Sequence, residues 1–134
     1  MKYKTPAALI ISVLIIVALM HFAGVYWHWY WRVHWYNQIV HFLAGALVAF
    51  VVLFVAKSYW ALKKWPLFFL AICSALAVGI LWETFQLKYG ITIWGGPGYA
   101  ADTTHNIIAD FLGGLLGFLY FISKYQTGIP WSRE

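Results

Sequence analysis

Histidine and carboxylate side chains, which can do acid–base or metal-binding chemistry, lie beside or inside long apolar runs of this sequence. Three of the polar residues, Asp102, Asn106 and Asp110, recur at intervals of four, so a helix places them on one face. An aspartate at mid-depth in a lipid-spanning helix costs on the order of 2.5–3.5 kcal/mol. Asp110 must therefore be paired, protonated or bound to a cation.

Imidazole and carboxylate groups together suit zinc, and carboxylate-rich sites suit harder cations. The sequence therefore predicts a site for a divalent metal such as zinc, with ligands drawn from His41, Glu83, Asp102, His105 and Asp110. A bound metal would activate water against a substrate.

Without a metal, the same region predicts catalysis by general acid and base groups. The catalytic candidates are Glu83, Asp110 and His41, and the accompanying binding residues are Asn37, Gln86 and Asn106. The chain has no Gly-x-Ser-x-Gly and no His-Glu-x-x-His motif, and Cys73 lies in an apolar run. Covalent hydrolysis is thus disfavoured, and whether the protein is an enzyme stays open.

Each of these residues also has a structural explanation. Asn37 and His41 are four apart and would serve as an interhelical hydrogen-bonding pair. Glu83 would be satisfied by His41 or by a protonated Asp110. Asp102 would simply cap the helix that follows it, because aspartate is favoured at a helix N-terminus.

Composition places the chain in a membrane. It is 63% hydrophobic and only 10% charged, whereas soluble domains carry roughly 25% charged residues. The net charge of +5 does not indicate nucleic acid, because the basic residues are spread between apolar segments. The lipid bilayer is the expected partner, and no nucleic acid is expected.

The apolar runs predict an all-α fold, an integral membrane bundle of four transmembrane helices in a single domain over residues 1–134. We expect the helices near residues 5–26, 37–57, 66–87 and 103–123. The aromatic stretch 27–36 is typical of a turn at the membrane interface. A Gly/Pro-rich outer loop, containing Gly95, Gly96, Pro97 and Gly98, joins helices 3 and 4.

The basic residues predict the orientation. Of the nine lysines and arginines, seven fall on the side of the two termini and two on the other side. The positive-inside rule then gives a multi-pass protein of the cell membrane with both termini in the cytoplasm. All five histidines, and every acidic residue except Glu134, lie on the outer half.

Three motifs in this order resemble the VanZ-like family and the related YjdF-type bacterial membrane proteins. They are Asn37 with His41 and Gly45, then Trp82-Glu83 with Gln86, then the series Asp102, Asn106, Asp110 and Gly113. The chain departs from the family pattern at Asn37, where aspartate is usual, and it lacks the arginine common before Asp102. The resemblance implies a bacterial envelope protein, linked in one branch to glycopeptide resistance, and implies no settled activity.

Three functions follow as hypotheses. The first is a site that binds or processes an envelope lipid headgroup or a lipid-linked precursor, with or without a metal. The second is a small proton or ion transport element, which at 134 residues would require a homo-oligomer. The third is a structural partner subunit in which the polar cluster only orders the helices. A haem protein, with His21 and His41 as axial ligands, is a weaker fourth.

The orientation is open to a direct test. In a Cys73→Ser background, a cysteine placed at position 30 or 96 should react with a membrane-impermeant maleimide added outside intact cells. One placed at position 61 should react only after permeabilisation. The reverse labelling pattern would overturn the topology.

Overall fold

The structure, a computed structural model, describes residues 4–60 and 62–125. All regular secondary structure over these ranges is helical, and four of the helices are long and apolar enough to span a membrane. The all-α four-span fold is therefore confirmed. The helices are α1 (Lys4–Tyr26), α2 (Trp29–Arg32), α3 (Tyr36–Tyr59), α4 (Lys64–Lys88) and α5 (Tyr99–Tyr125).

The start of α5 differs from expectation by about one turn. The helix begins at Tyr99, and the N–H of Asp102 already donates to the carbonyl of Gly98 at 2.9 Å. Gly98 has a φ of +80°, which ends the loop without steric cost. Ala100 and Ala101 then extend the helix because alanine is the best helix former. A second departure is α2, a single helical turn within the stretch expected to be a turn.

The bundle has two chemically different ends. One end, called the aromatic end below, is formed by the connection from α1 to α3, residues 27–35, and by the loop between α4 and α5, residues 89–98. Towards the opposite end, α3, α4 and α5 share an apolar core made of Ala49, Phe50, Leu53, Leu67, Ala71, Phe118 and Phe121. This core packs the three helices together and leaves the polar residues grouped near the aromatic end.

Helices α3 and α5 approach each other most closely. A Cβ added at Gly113 would overlap the carbonyl oxygen of Phe42, and one added at Gly117 would come within 2.5 Å of the carbonyl oxygen of Ala46. Small residues of this kind let two backbones meet in a membrane, where packing replaces the hydrophobic effect between helices.

Helix α1 is attached mainly at the aromatic end. Between residues 7 and 26 only Gly24 is buried. The Tyr36 hydroxyl donates to the carbonyl of Met20 at 2.6 Å, and the Tyr30 hydroxyl lies 3.0 Å from His21 Nδ1. Burial raises the pKa of the Tyr30 phenol, so this hydroxyl stays protonated. Further along α1, Ile10 packs against the apolar core, and most of the remaining helix surface is exposed.

The close approach of α3 and α5 predicts the effect of filling it. Gly113→Ala should destabilise the protein by about 1–3 kcal/mol, because the added methyl forces the two backbones apart. Thermal unfolding in detergent measures the change. Leu112→Ala, at a neighbouring residue that is 47% exposed to lipid, is the matched control and should change stability little. Equal effects of the two substitutions would contradict this packing.

Candidate functional site

Three helices bring polar side chains together near the aromatic end. Six of these residues are buried, at 0–6% relative exposure. From α3 come Asn37 and His41, from α4 come Glu83 and Gln86, and from α5 come Asn106 and Asp110. In each helix the two residues are three or four apart, which puts both on the face turned into the bundle.

His41 is at the centre of this cluster. Its Nδ1 atom lies 2.9 Å from Asp110 Oδ2, and its Nε2 atom lies 3.5 Å from Glu83 Oε1. The imidazole therefore stands between two carboxylates that belong to two other helices. A protonated imidazole can donate to both carboxylates, whereas a neutral one can donate to only one of them.

The Glu83 side of the cluster extends to α5. Glu83 Oε1 accepts from Asn106 Nδ2 at 2.5 Å, and Glu83 Oε2 accepts from the Thr103 hydroxyl at 3.4 Å. Sequence reasoning did not single out Thr103 as part of a site. Its position three residues before Asn106 could have indicated this role, because that spacing places both residues on the same helix face.

The Asp102 carboxylate connects α5 to α3. Its Oδ2 atom accepts from Asn37 Nδ2 and from Asn106 Nδ2, each at 3.3 Å, and its Oδ1 atom accepts from Gln38 Nε2 at 3.0 Å. Gln86 Nε2 in turn donates to Asn37 Oδ1 at 3.0 Å. The network thus runs from half-buried Asp102 inwards to Asp110. Gln38 was also missed, although it lies three residues before His41.

The capping explanation for Asp102 is wrong. Because α5 begins at Tyr99, Asp102 lies within the first turn and points its carboxylate at α3. The Thr104 hydroxyl donates to the carbonyl of Ala100 at 2.7 Å, within the same helix. The acid at this position still benefits from the positive end of the helix dipole.

Two glycines make room for Asp110. A Cβ at Gly79 of α4 would overlap the Asp110 carboxylate, and a Cβ at Gly45 of α3 would lie 2.7 Å from the Asp110 carbonyl oxygen. Asp110 therefore reaches His41 only because both neighbouring helices lack a side chain there. Gly79 carried no signal in the sequence, since a lone glycine in an apolar run has many explanations.

The five predicted metal ligands are not brought together as one group. His105 is exposed, although it adjoins buried Asn106 in the chain, because consecutive helical residues point in different directions. Within residues 4–60 and 62–125, no three histidine, cysteine, aspartate or glutamate side chains are placed to hold a metal ion. In the remaining group, the imidazole of His41 already occupies the space between the carboxylates of Glu83 and Asp110.

The other three histidines lie apart from the cluster. His21 packs edge-on against the ring of Trp82, with ring centres 4.8 Å apart, and bonds to Tyr30. His28 and His34 are exposed near the aromatic end.

Several buried polar atoms of the cluster have no hydrogen-bond partner among the described residues. Three are amide oxygens, of Gln38, Gln86 and Asn106, and the other two are His41 Nε2 and Trp82 Nε1. Unpartnered buried acceptors are costly, so each calls for an explanation. With three carboxylates in the same network, acceptors outnumber donors, and the arrangement suits a ligand that donates hydrogen bonds or carries positive charge.

The cluster is tightly packed. Its amide and carboxylate groups mostly contact one another. Only His41 and Asp110 face an adjoining small cavity of about 50 Å³. That cavity is otherwise lined by Val17, Val40, Ala44, Gly45, Ala75, Val78, Gly79 and Trp82.

Comparison with known proteins gives one result. A family model with the description "Predicted membrane protein (DUF2238)" matches residues 1–127. No curated protein and no solved structure matches the chain. The match supports a membrane-protein family and does not extend to the VanZ-like proteins that the motifs resemble.

The pairing of His41 with Asp110 predicts a large and specific cost when the imidazole is removed. His41→Ala leaves a buried carboxylate without its partner and should destabilise the protein by about 3 kcal/mol or more. Asp110→Asn in the same chain should recover part of this loss, so a double-mutant cycle measured by unfolding should be non-additive. His34→Ala, at an exposed histidine, is the control, and equal losses at both histidines would contradict the pairing.

Proposed function

This chain belongs to that family of membrane proteins, and we propose that it binds the amine of an envelope lipid headgroup or of a lipid-linked precursor. The proposed main contacts are Glu83, Asp110 and His41, with Asn37, Gln86 and Asn106 as supporting binding residues. The observation that carries the proposal is the excess of buried acceptors in the cluster.

The charges of the cluster favour a cationic ligand. The network holds three carboxylates, of Glu83, Asp102 and Asp110, and one imidazole, and two of the carboxylates, of Glu83 and Asp110, lie beside that imidazole. With the carboxylates ionised, the sum is −3 with a neutral His41 and −2 with a protonated one. A buried excess of negative charge must be relieved by protons or by a cation. An alkylammonium supplies both a positive charge and up to three N–H donors.

The position of the cluster favours a lipid as the source of that amine. The aromatic end exposes Tyr26, Trp27, Trp29, Trp31 and Trp35. Tryptophan and tyrosine concentrate at the level of lipid headgroups. The half-buried part of the network, Gln38, Asp102 and Thr103, lies near this level. As part of this proposal, we place this end at the outer face of the cell membrane, because the basic residues are concentrated on the other side.

The same geometry is compatible with processing of the ligand as well as binding. An imidazole between two carboxylates can exchange a proton with either one, which is the behaviour required of a general acid or base. Glu83, Asp110 and His41 are then the catalytic candidates.

A structural partner subunit is the second candidate, because the hydrogen bonds of the cluster join α3, α4 and α5 directly. Transport has less support. Towards the opposite end the described part of these helices packs as an apolar core, which offers no polar route onward.

Retention of an amine lipid tests the proposal. Native mass spectrometry of the full chain, purified in mild detergent from membranes rich in an ethanolamine lipid, should show one bound amine lipid. Asp110→Asn and Glu83→Gln should each reduce its occupancy at least tenfold, because each removes a charge without changing shape. His34→Ala should leave it unchanged.

Two results would overturn the amine site. One is an unchanged occupancy in a folded Asp110→Asn variant that is as stable as the parent or more so, which would favour the structural subunit. The other is a near-stoichiometric divalent metal, found by elemental analysis of protein prepared without chelator, since the metal would then occupy the place assigned to the amine.

A further inference from the structure

The small cavity beside His41 and Asp110 lies at a junction of α1, α3 and α4. Its lining residues include Val17 of α1, Val78 and Trp82 of α4, and the small residues Ala44 and Gly45 of α3. Val78 is 39% exposed on the lipid-facing side of α4. The cavity therefore adjoins the bilayer.

Helix α1 covers this junction only in part, through Val17. Its fixed contacts, the Tyr36–Met20 and His21–Tyr30 hydrogen bonds, are at the aromatic end. Further along, Val17 is only half-buried. A lipid chain can therefore lie between α1 and α4 while the hydrogen bonds that hold α1 stay intact.

Trp82 supplies an unused donor at the same cavity. Its Nε1 atom is buried and has no partner among the described residues, and Trp82 lines the cavity together with Asp110. The indole is held in place on two sides, by the edge-on ring of His21 and by Phe85, which stacks on it at 5.3 Å between ring centres. A buried indole N–H usually finds an acceptor. The other buried nitrogen atom at this cavity without a hydrogen-bond partner among the described residues is His41 Nε2, on a side chain that is 1% exposed.

We propose that this cavity admits the amine lipid sideways from the bilayer, between α1 and α4, and that it selects a head in which an oxygen lies two carbons from the amine. The ammonium would donate to Asp110, and the oxygen would accept the N–H of Trp82. A head of this ethanolamine type has about four heavy atoms, which suits a cavity of about 50 Å³. This inference rests on the proposed amine site and adds its route of entry and its selectivity.

The selectivity is tested with a matched pair of probes. The full chain is placed in nanodiscs of phosphatidylcholine, whose quaternary ammonium has no N–H to donate. One probe is a long-chain alkyl ether of ethanolamine, and the other is an alkylamine of equal length without the ether oxygen. Each carries a diazirine in its chain, so binding is read as photolabelling against probe fraction.

We expect the parent to bind the ether probe about fivefold more tightly than the alkylamine, the value of one hydrogen bond. Trp82→Phe should abolish that preference, so that the two probes bind equally. Trp65→Phe, at an exposed tryptophan outside the cavity, should preserve it. Asp110→Asn should abolish binding of both probes.

The route of entry is tested with a larger residue at the opening. Val78→Trp should lower photolabelling by both probes at least tenfold. Val55→Trp, at another lipid-exposed valine that is 47% exposed, should have no effect. In the parent, the labelled peptides should include Val17 or Val78.

The three ways of failing are distinguishable. If the parent binds neither probe, the proposed amine site is wrong and this inference falls with it. If both probes bind equally well and Trp82→Phe changes nothing, the selectivity is wrong while the amine site stands. If Val78→Trp binds as the parent does, the sideways entry is wrong while the amine site again stands.

Discussion

The contact between His41 and Asp110 is the interaction on which the rest of the bundle depends. A carboxylate within an apolar helix is tolerated only with a close partner, and the imidazole at 2.9 Å provides one. To make this contact, α5 must lie against α3 and α4 at distances that a side chain at Gly45 or Gly79 would prevent. The polar pair therefore dictates the small residues around it.

This constraint divides the four spans into two groups. Helices α3, α4 and α5 are held together by buried hydrogen bonds near the aromatic end and by an apolar core towards the opposite end. The described part of α1 contributes no member of the polar network and is bonded near His21 and Met20. The three helices that bury charge are thus bonded directly to one another, whereas α1 is bonded to the bundle only through the segment near residues 20–36 in the described part of the chain.

Much of the fold could be predicted because a membrane restricts the choices. Apolar runs of spanning length have to be helices, since lipid offers no partner for a free backbone group. The first residue of a helix was harder to predict where two positions could each begin it. Asp102 has the residue type of a helix cap, yet α5 starts at Tyr99, because Gly98 ends the loop earlier and two alanines continue the helix.

For the site, the sequence alone determined which residues share a helix face, because a period of 3.6 residues fixes that without any knowledge of the neighbours. His41, Glu83 and Asp110 were found in this way. Only the tertiary structure decided which faces meet. It excluded His105, added Gln38 and Thr103, and showed that Gly79 makes space for Asp110. Those outcomes depend on the rotation and separation of neighbouring helices, which are set by packing between segments far apart in the chain.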